Sequence, residues 1–244
     1  MDLLSDREFL ETNEMPFFFF DPYLMIATAP AILLAMWAQW RVHSSFASAS
    51  QKPASLTGAA AARYILDSAG ATDVNIESIR GTLSDHYDPR KKVLRLSEAV
   101  YGSRSLAAVG IAAHEAGHAL QDAQRYPLMS LRNAAVGVAS FGSGFGVILF
   151  ILGLALALQQ IAWLGLLLFG ATVFFQLVNL PVEIDASNRA KASLVELGIV
   201  PADEMQAVNA VLNAAAWTYV AATLQSVLTI LYYASYLTGM RSDD

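Results

Sequence analysis

Four stretches of this chain run without a single charged residue for the length a helix needs to cross a lipid bilayer. They cover about Tyr23 to Trp40, Ala134 to Leu158, Ile161 to Leu180 and Ala214 to Leu237. A hydrocarbon core of about 30 Å takes roughly 20 helical residues. Aromatic residues gather at the ends, as an interfacial belt would place them: Trp37 and Trp40 in the first stretch, and Trp217 with Tyr232, Tyr233 and Tyr236 in the fourth. Only Gln159 and Gln160 separate the second from the third, which predicts a tight helical hairpin. Four buried helices of a soluble bundle would need charges on their outer faces, and these stretches have none.

Between the spans the pattern changes. Ala47 to Pro53 reads as a linker, and Thr57 is placed to cap a helix ending at Gly70, with Ala61, Ile65 and Leu66 on one face. Asp73 to Arg80 and Lys92 to Ser97 read as short strands, with Asp88-Pro89 supplying the turn between them. Ser103 or Ser105 then caps an Ala-rich helix reaching about Gln124, and Pro127 marks its end. The resulting plan has an acidic segment (1–22), a first span (23–40), an insertion (41–133), a hairpin of two spans (134–180), a second insertion (181–213), a fourth span (214–237) and a tail (238–244). The fold class is mainly α: a four-span helical membrane protein with a small mixed α/β insertion.

Composition sharpens this plan. Hydrophobic residues make up 55% of the chain and charged residues 15%, against about 25% charged in soluble domains. The mean hydropathy is +0.44. A net charge of −6, with no basic stripe beyond Arg90-Lys91-Lys92, argues against nucleic acid as a partner. There are no cysteines, which removes disulfides and thiolate ligands. Asp2, Asp6, Glu8, Glu11 and Glu14 oppose the basic start of a signal peptide, so the first span is expected to remain as an anchor. The first insertion holds eleven Lys and Arg residues and the second holds two, with one before the first span and one in the tail. That excess predicts both insertions in the cytoplasm and both termini outside.

The Ala-rich helix contains His114-Glu115-Ala116-Gly117-His118. Histidines at i and i+4 project from one helix face and can take two corners of a tetrahedral zinc site. Glu115 then sits beside the metal without binding it, placed to take a proton from a zinc-activated water and pass it to a leaving amine. This predicts one Zn2+ per chain, peptide-bond hydrolysis and a polypeptide substrate. A zinc-binding structural or regulatory subunit is the other reading, although such a scaffold has no use for Glu115. A transporter would carry charged ligands inside its spans.

Catalytic zinc takes three protein ligands and keeps one position open. His43 and His86 are poorly placed to supply the third. The segment Pro181-Val182-Glu183-Ile184-Asp185 follows the third span, and Pro181 suits the first turn of a new helix. Because the second and third spans form a hairpin, this segment and the His-bearing helix emerge close together on one side. Glu183 and Asp185 compete for the third position, facing different sides of a helix.

The segments Leu83 to Ala123 and Gln176 to Ala190 resemble those of the bacterial membrane-bound neutral zinc metallopeptidases, the YugP-like family of gluzincin type. The resemblance implies a multi-pass peptidase of the bacterial plasma membrane, with the lipid bilayer and peptide substrates as its partners. In the gluzincin pattern a ligand Glu is followed four positions later by an Asp that orients a zinc-bound His. Glu183 fits the ligand position, but Ser187 stands where that Asp belongs, and Asp185 is the alternative for that supporting role. His86, near the strands, is a candidate donor to the reaction's oxyanion or else a turn residue. Gly142 and Gly146, four apart in the second span, permit close helix packing within the chain.

Overall fold

A computed structural model describes residues 21–242. Its first helix, α1 (Pro22–Ser50), begins where the Asp21 carboxylate accepts from the Tyr23 and Leu24 amides at 2.9 and 3.2 Å. That cap satisfies donors the first turn leaves orphaned. The helix runs through the Ala-Ser stretch expected to be a linker. No Gly or Pro falls between Pro30, which lies inside the helix, and Pro53, and Ala49 is buried in the core, so packing holds the last turn helical.

Helix α2 (Gly58–Ser68) is capped by Thr57, whose hydroxyl accepts from the Ala60 amide at 3.2 Å, and it ends before Gly70 at φ +74°. Three strands follow: β1 (Asn75–Ile79), β2 (His86–Asp88) and β3 (Val93–Ser97). The two expected strands do not form a hairpin. β1 pairs parallel to β3, and the short β2 pairs antiparallel to β3 on its other side, in the order β1-β3-β2. The Asp88-Pro89 turn therefore joins β2 to β3. Its carboxylate accepts from the Arg90 and Lys91 amides, the self-bonding that lets Asp nucleate turns. As the central strand, β3 buries Val93, Leu94, Leu96 and Ser97.

A single turn, α3 (Glu98–Tyr101), leads to α4 (Leu106–Ala123), capped by Ser105 through the Ala108 amide at 3.2 Å. Pro127 does more than end α4, since it opens the next helix, α5 (Pro127–Ala155). Residues 156–158 turn the chain into α6 (Gln159–Glu196), and α7 (Met205–Ser242) completes it. Pro181 does not start a new helix. It lies inside α6, which runs unbroken from the third apolar stretch into the expected second insertion. Likewise α7 begins at Met205, nine residues before the fourth apolar stretch.

Among the described residues, four helices are long and apolar enough to cross a membrane: α1, α5, α6 and α7. Their apolar side chains lie largely open, among them Ile26, Leu33, Phe141, Ile148 and Leu167. Such continuous exposed apolar surface is what a helix facing lipid or a protein partner presents. α5 and α6 pack as the expected hairpin with their backbones nearly touching. A Cβ on Gly142 would stand 2.3 Å from the Leu168 carbonyl oxygen, and one on Gly146 would stand 2.9 Å from that of Gly165. The main hydrophobic core sits outside the apolar stretches. Ile65, Leu66, Leu94, Leu96, Val109, Leu194 and Val208 join α2, the sheet and α4 to the polar ends of α6 and α7.

Candidate metal centre

The site is made where α4 crosses α6. Gly117 permits the crossing: a Cβ there would stand 2.5 Å from the Ala186 carbonyl oxygen, closer than real side chains come. His118 flanks that contact on α4, and Glu183 lies one turn back along α6. Close backbone approach and ligand convergence therefore have the same cause.

His114 and His118 meet edge to face with ring centroids 4.8 Å apart. Their Nε2 atoms lie 3.2 and 3.4 Å from one oxygen, Oε2 of Glu183. Among the described residues, these three form the group whose ligand atoms lie close enough to hold a metal, all within 4.8 Å of one another. A tetrahedral zinc ion with bonds of about 2.05–2.1 Å holds its ligand atoms about 3.4 Å apart. The two N–O separations match that edge, so the residues fit the ion in type and in both histidine–carboxylate spacings. Glu183 is almost wholly buried, and the histidine side chains are 13% and 9% exposed. Burial works against a proton on His118, but Glu183 beside it outweighs burial and holds the imidazole's pKa above its ordinary value. The cluster thus favours positive charge at its centre.

The outward nitrogens of both rings are taken. His118 Nδ1 lies 2.9 Å from Gln121 Oε1, to which it donates, and His114 Nδ1 lies 3.1 Å from the Ser187 hydroxyl. Because the Gln121 amide nitrogen already donates to Val182 and Asp185, its oxygen accepts from His118 Nδ1, which favours the tautomer that leaves His118 Nε2 free for a metal. The Ser187 hydroxyl can accept from His114 Nδ1 in the same way. Gln121 is fully buried, and its amide donates at 2.8 Å both to the Val182 carbonyl and to Asp185 Oδ2. Asp185 is ion-paired with Arg189, whose guanidinium also reaches Gln124 and stacks over Tyr126. Ser187 therefore touches a histidine directly, while Asp185 supports the other through Gln121.

Glu115 is buried on α4, within electrostatic reach of His118 and of Tyr219 on α7. Tyr219 also lies within electrostatic reach of Glu183, and Arg132 Nη2 lies 3.9 Å from Glu183 Oε1 while its Nε donates to Asn179 at 3.0 Å. The sequence analysis did not single out Gln121, Arg132 or Tyr219. Gln121 alone carried a local signal, standing one turn beyond His118 on the same helix. His86 stands apart from this cluster in its contacts: it is exposed on β2, with Nδ1 2.8 Å from the Ser84 carbonyl and Nε2 3.4 Å from Arg95. His43 pairs with Gln39 on the exposed side of α1. Tyr87 fastens the sheet to α4 by donating to Asp122 at 2.8 Å, and burial together with that carboxylate pushes its hydroxyl well above the usual phenol range.

A bundle of four membrane-length helices, with two histidines and a glutamate converging at the polar end of one of them, defines a class: helical membrane-type proteins with a metallopeptidase-like centre. Comparison with known sequences narrows it. The chain belongs to the family described as "Putative neutral zinc metallopeptidase", whose profile matches residues 24–238. It is 48% identical over 208 residues to the "Putative membrane protease YugP" of Bacillus subtilis (strain 168), a match covering 84% of this chain and 92% of that protein. No solved structure matches it.

Proposed function

We propose that this protein is an integral membrane zinc endopeptidase, with His114, His118 and Glu183 as the ligands of one zinc ion and Glu115 as general base. The observation that carries this reading is the convergence of two Nε2 atoms on one buried carboxylate oxygen, each at the N–O spacing of a tetrahedral zinc site, with a second buried carboxylate outside that set. A zinc ion there supplies the Lewis acidity that brings a water's pKa towards ~7 and polarises the scissile carbonyl. The protein's own groups do the rest. Gln121 holds the His118 imidazole in the tautomer that presents Nε2, and Ser187 orients the His114 ring through its Nδ1. Glu115 takes the proton from the attacking water and carries it to the leaving amine nitrogen. The apolar wall of α4, with Ala112, Ala113, Ala116 and Ala119 buried, keeps bulk water from the carboxylate. The family and the related membrane protease support peptide hydrolysis as the reaction.

The test is detergent-purified protein assayed for zinc content and casein cleavage beside Glu115→Gln. Retained zinc with activity lower by about 10²–10⁴-fold is expected from loss of a general base. Full activity without the carboxylate, or zinc lost with it, would overturn the assignment.

A further inference from the structure

A polar cavity lies away from the candidate metal centre, between the end of α1 and the start of α7. It measures about 440 Å³, and its lining includes Trp40, Arg41, Ser44, Ser48, Lys52 and Gln206. Arg41, Ser44 and Ser48 recur at helical spacing on one face of α1, and Lys52 follows just past its end. Among the described residues, the side chains of Arg41, Ser48, Lys52 and Gln206 form no hydrogen bond or ion pair with the protein. Two cations and two further donors thus face one cavity, and no carboxylate lines it. Clustered guanidinium, ammonium and hydroxyl donors are the set that binds a phosphate oxyanion.

The height of the cavity indicates where that phosphate comes from. From Pro22 to Trp40 the helix carries no charge, and its 19 residues span about 28 Å at 1.5 Å each, the thickness of a hydrocarbon core. Arg41 is the first charge beyond that length. One turn earlier, Trp37 packs edge to face on Trp217 of α7 with centroids 5.7 Å apart, so both helices set their tryptophans at one level. Tryptophan pairs and a following cation mark the boundary between acyl chains and headgroups. The cavity therefore opens in the phosphate layer, with Trp40 at its lip.

We propose that this cavity is a binding site for the phosphate of an anionic phospholipid, clasped by Arg41 and Lys52 with Ser48 and Gln206 as further donors. The occupant joins the first and last spans and holds the core-bearing domain against the bilayer surface. Full-length protein in neutral detergent is titrated with phosphatidylglycerol, phosphatidylcholine or inorganic phosphate while thermal unfolding is followed. Phosphatidylglycerol is expected to raise the Tm saturably and more than phosphatidylcholine does. Arg41→Gln/Lys52→Gln is expected to weaken that response at least tenfold. Each single change should weaken it in part, so the prediction stands even if the double variant does not fold. Arg90→Gln/Lys91→Gln removes the same charge from the β2–β3 turn and should leave the response intact. An equal response in the wild type and in the Arg41 and Lys52 variants would sink the proposal. An equal loss in the turn variant would reduce it to non-specific attraction. A saturable response to inorganic phosphate alone, lost in the Arg41 and Lys52 variants, would keep the phosphate site and overturn the lipid as its source.

Discussion

Glu183 and Asp185 are two residues apart on α6 and chemically alike, yet a helix turns them to different neighbours. Glu183 Oε2 faces both imidazoles, while Asp185 bonds to Gln121 and Arg189. Glu183→Ala is expected to remove zinc as measured by metal analysis, by more than the ten- to hundredfold typical of an outer partner. Asp185→Ala should retain zinc with affinity lowered within that ten- to hundredfold range, because Gln121 keeps its bond to the Val182 carbonyl. If only the Asp185 variant loses zinc, the ligand is misassigned. Gln121→Leu goes one step closer to the metal. It frees the His118 ring to rotate and leaves the Val182 carbonyl without its side-chain donor, so zinc affinity should fall further than in Asp185→Ala. Equal affinities in competition with a chelator would show that Gln121 does not orient the ring.

Among the elements, the α4–α6 crossing decides whether a centre exists at all. Adding a methyl group at Gly117 sets it against the backbone of Ala186, which cannot rotate aside as a side chain could. Gly117→Ala is expected to cost about 1–3 kcal/mol of stability, as overpacking does, and to lower zinc affinity by separating Glu183 from the histidines. Gly137→Ala on α5 is the control, since a Cβ there meets nothing within 4 Å. It should be neutral or stabilising by up to about 1 kcal/mol through helix propensity. Thermal unfolding and zinc content of the two variants separate the crossing from glycine's general effect. The elements also show how tertiary packing overrides local signals. Pro181 is read locally as a helix start, but α5, α4 and α7 all pack on α6, and those contacts carry the helix past it. The Ala-Ser run after Trp40 reads as a linker, and burial of Ala49 makes it helix.

For the whole molecule, the question is on which side of a bilayer the proposed zinc site would lie. The core-bearing domain, the polar half of α6 and the start of α7 lie together at one end of the bundle, and that end carries the excess of Lys and Arg. The basic excess predicts it in the cytoplasm. Reporter fusions after Leu237 should therefore be active only outside. A fusion active only in the cytoplasm would show the orientation to be reversed. The spans, the capped helices at Thr57 and Ser105 and the His-Glu-Ala-Gly-His face were legible in the chain alone. Each depends on residues within a few turns of one another, through uncharged length, capping and i,i+4 spacing. The parallel pairing of β1 with β3, the passage of α6 through Pro181 and the rotation of α4 against α6 were not legible. They depend on contacts between residues far apart in sequence, about 70 positions for His114 and Glu183, and no local pattern encodes how two helices rotate when they meet. Only packing settles that rotation, and here it turns on the absent side chain of Gly117 against Ala186.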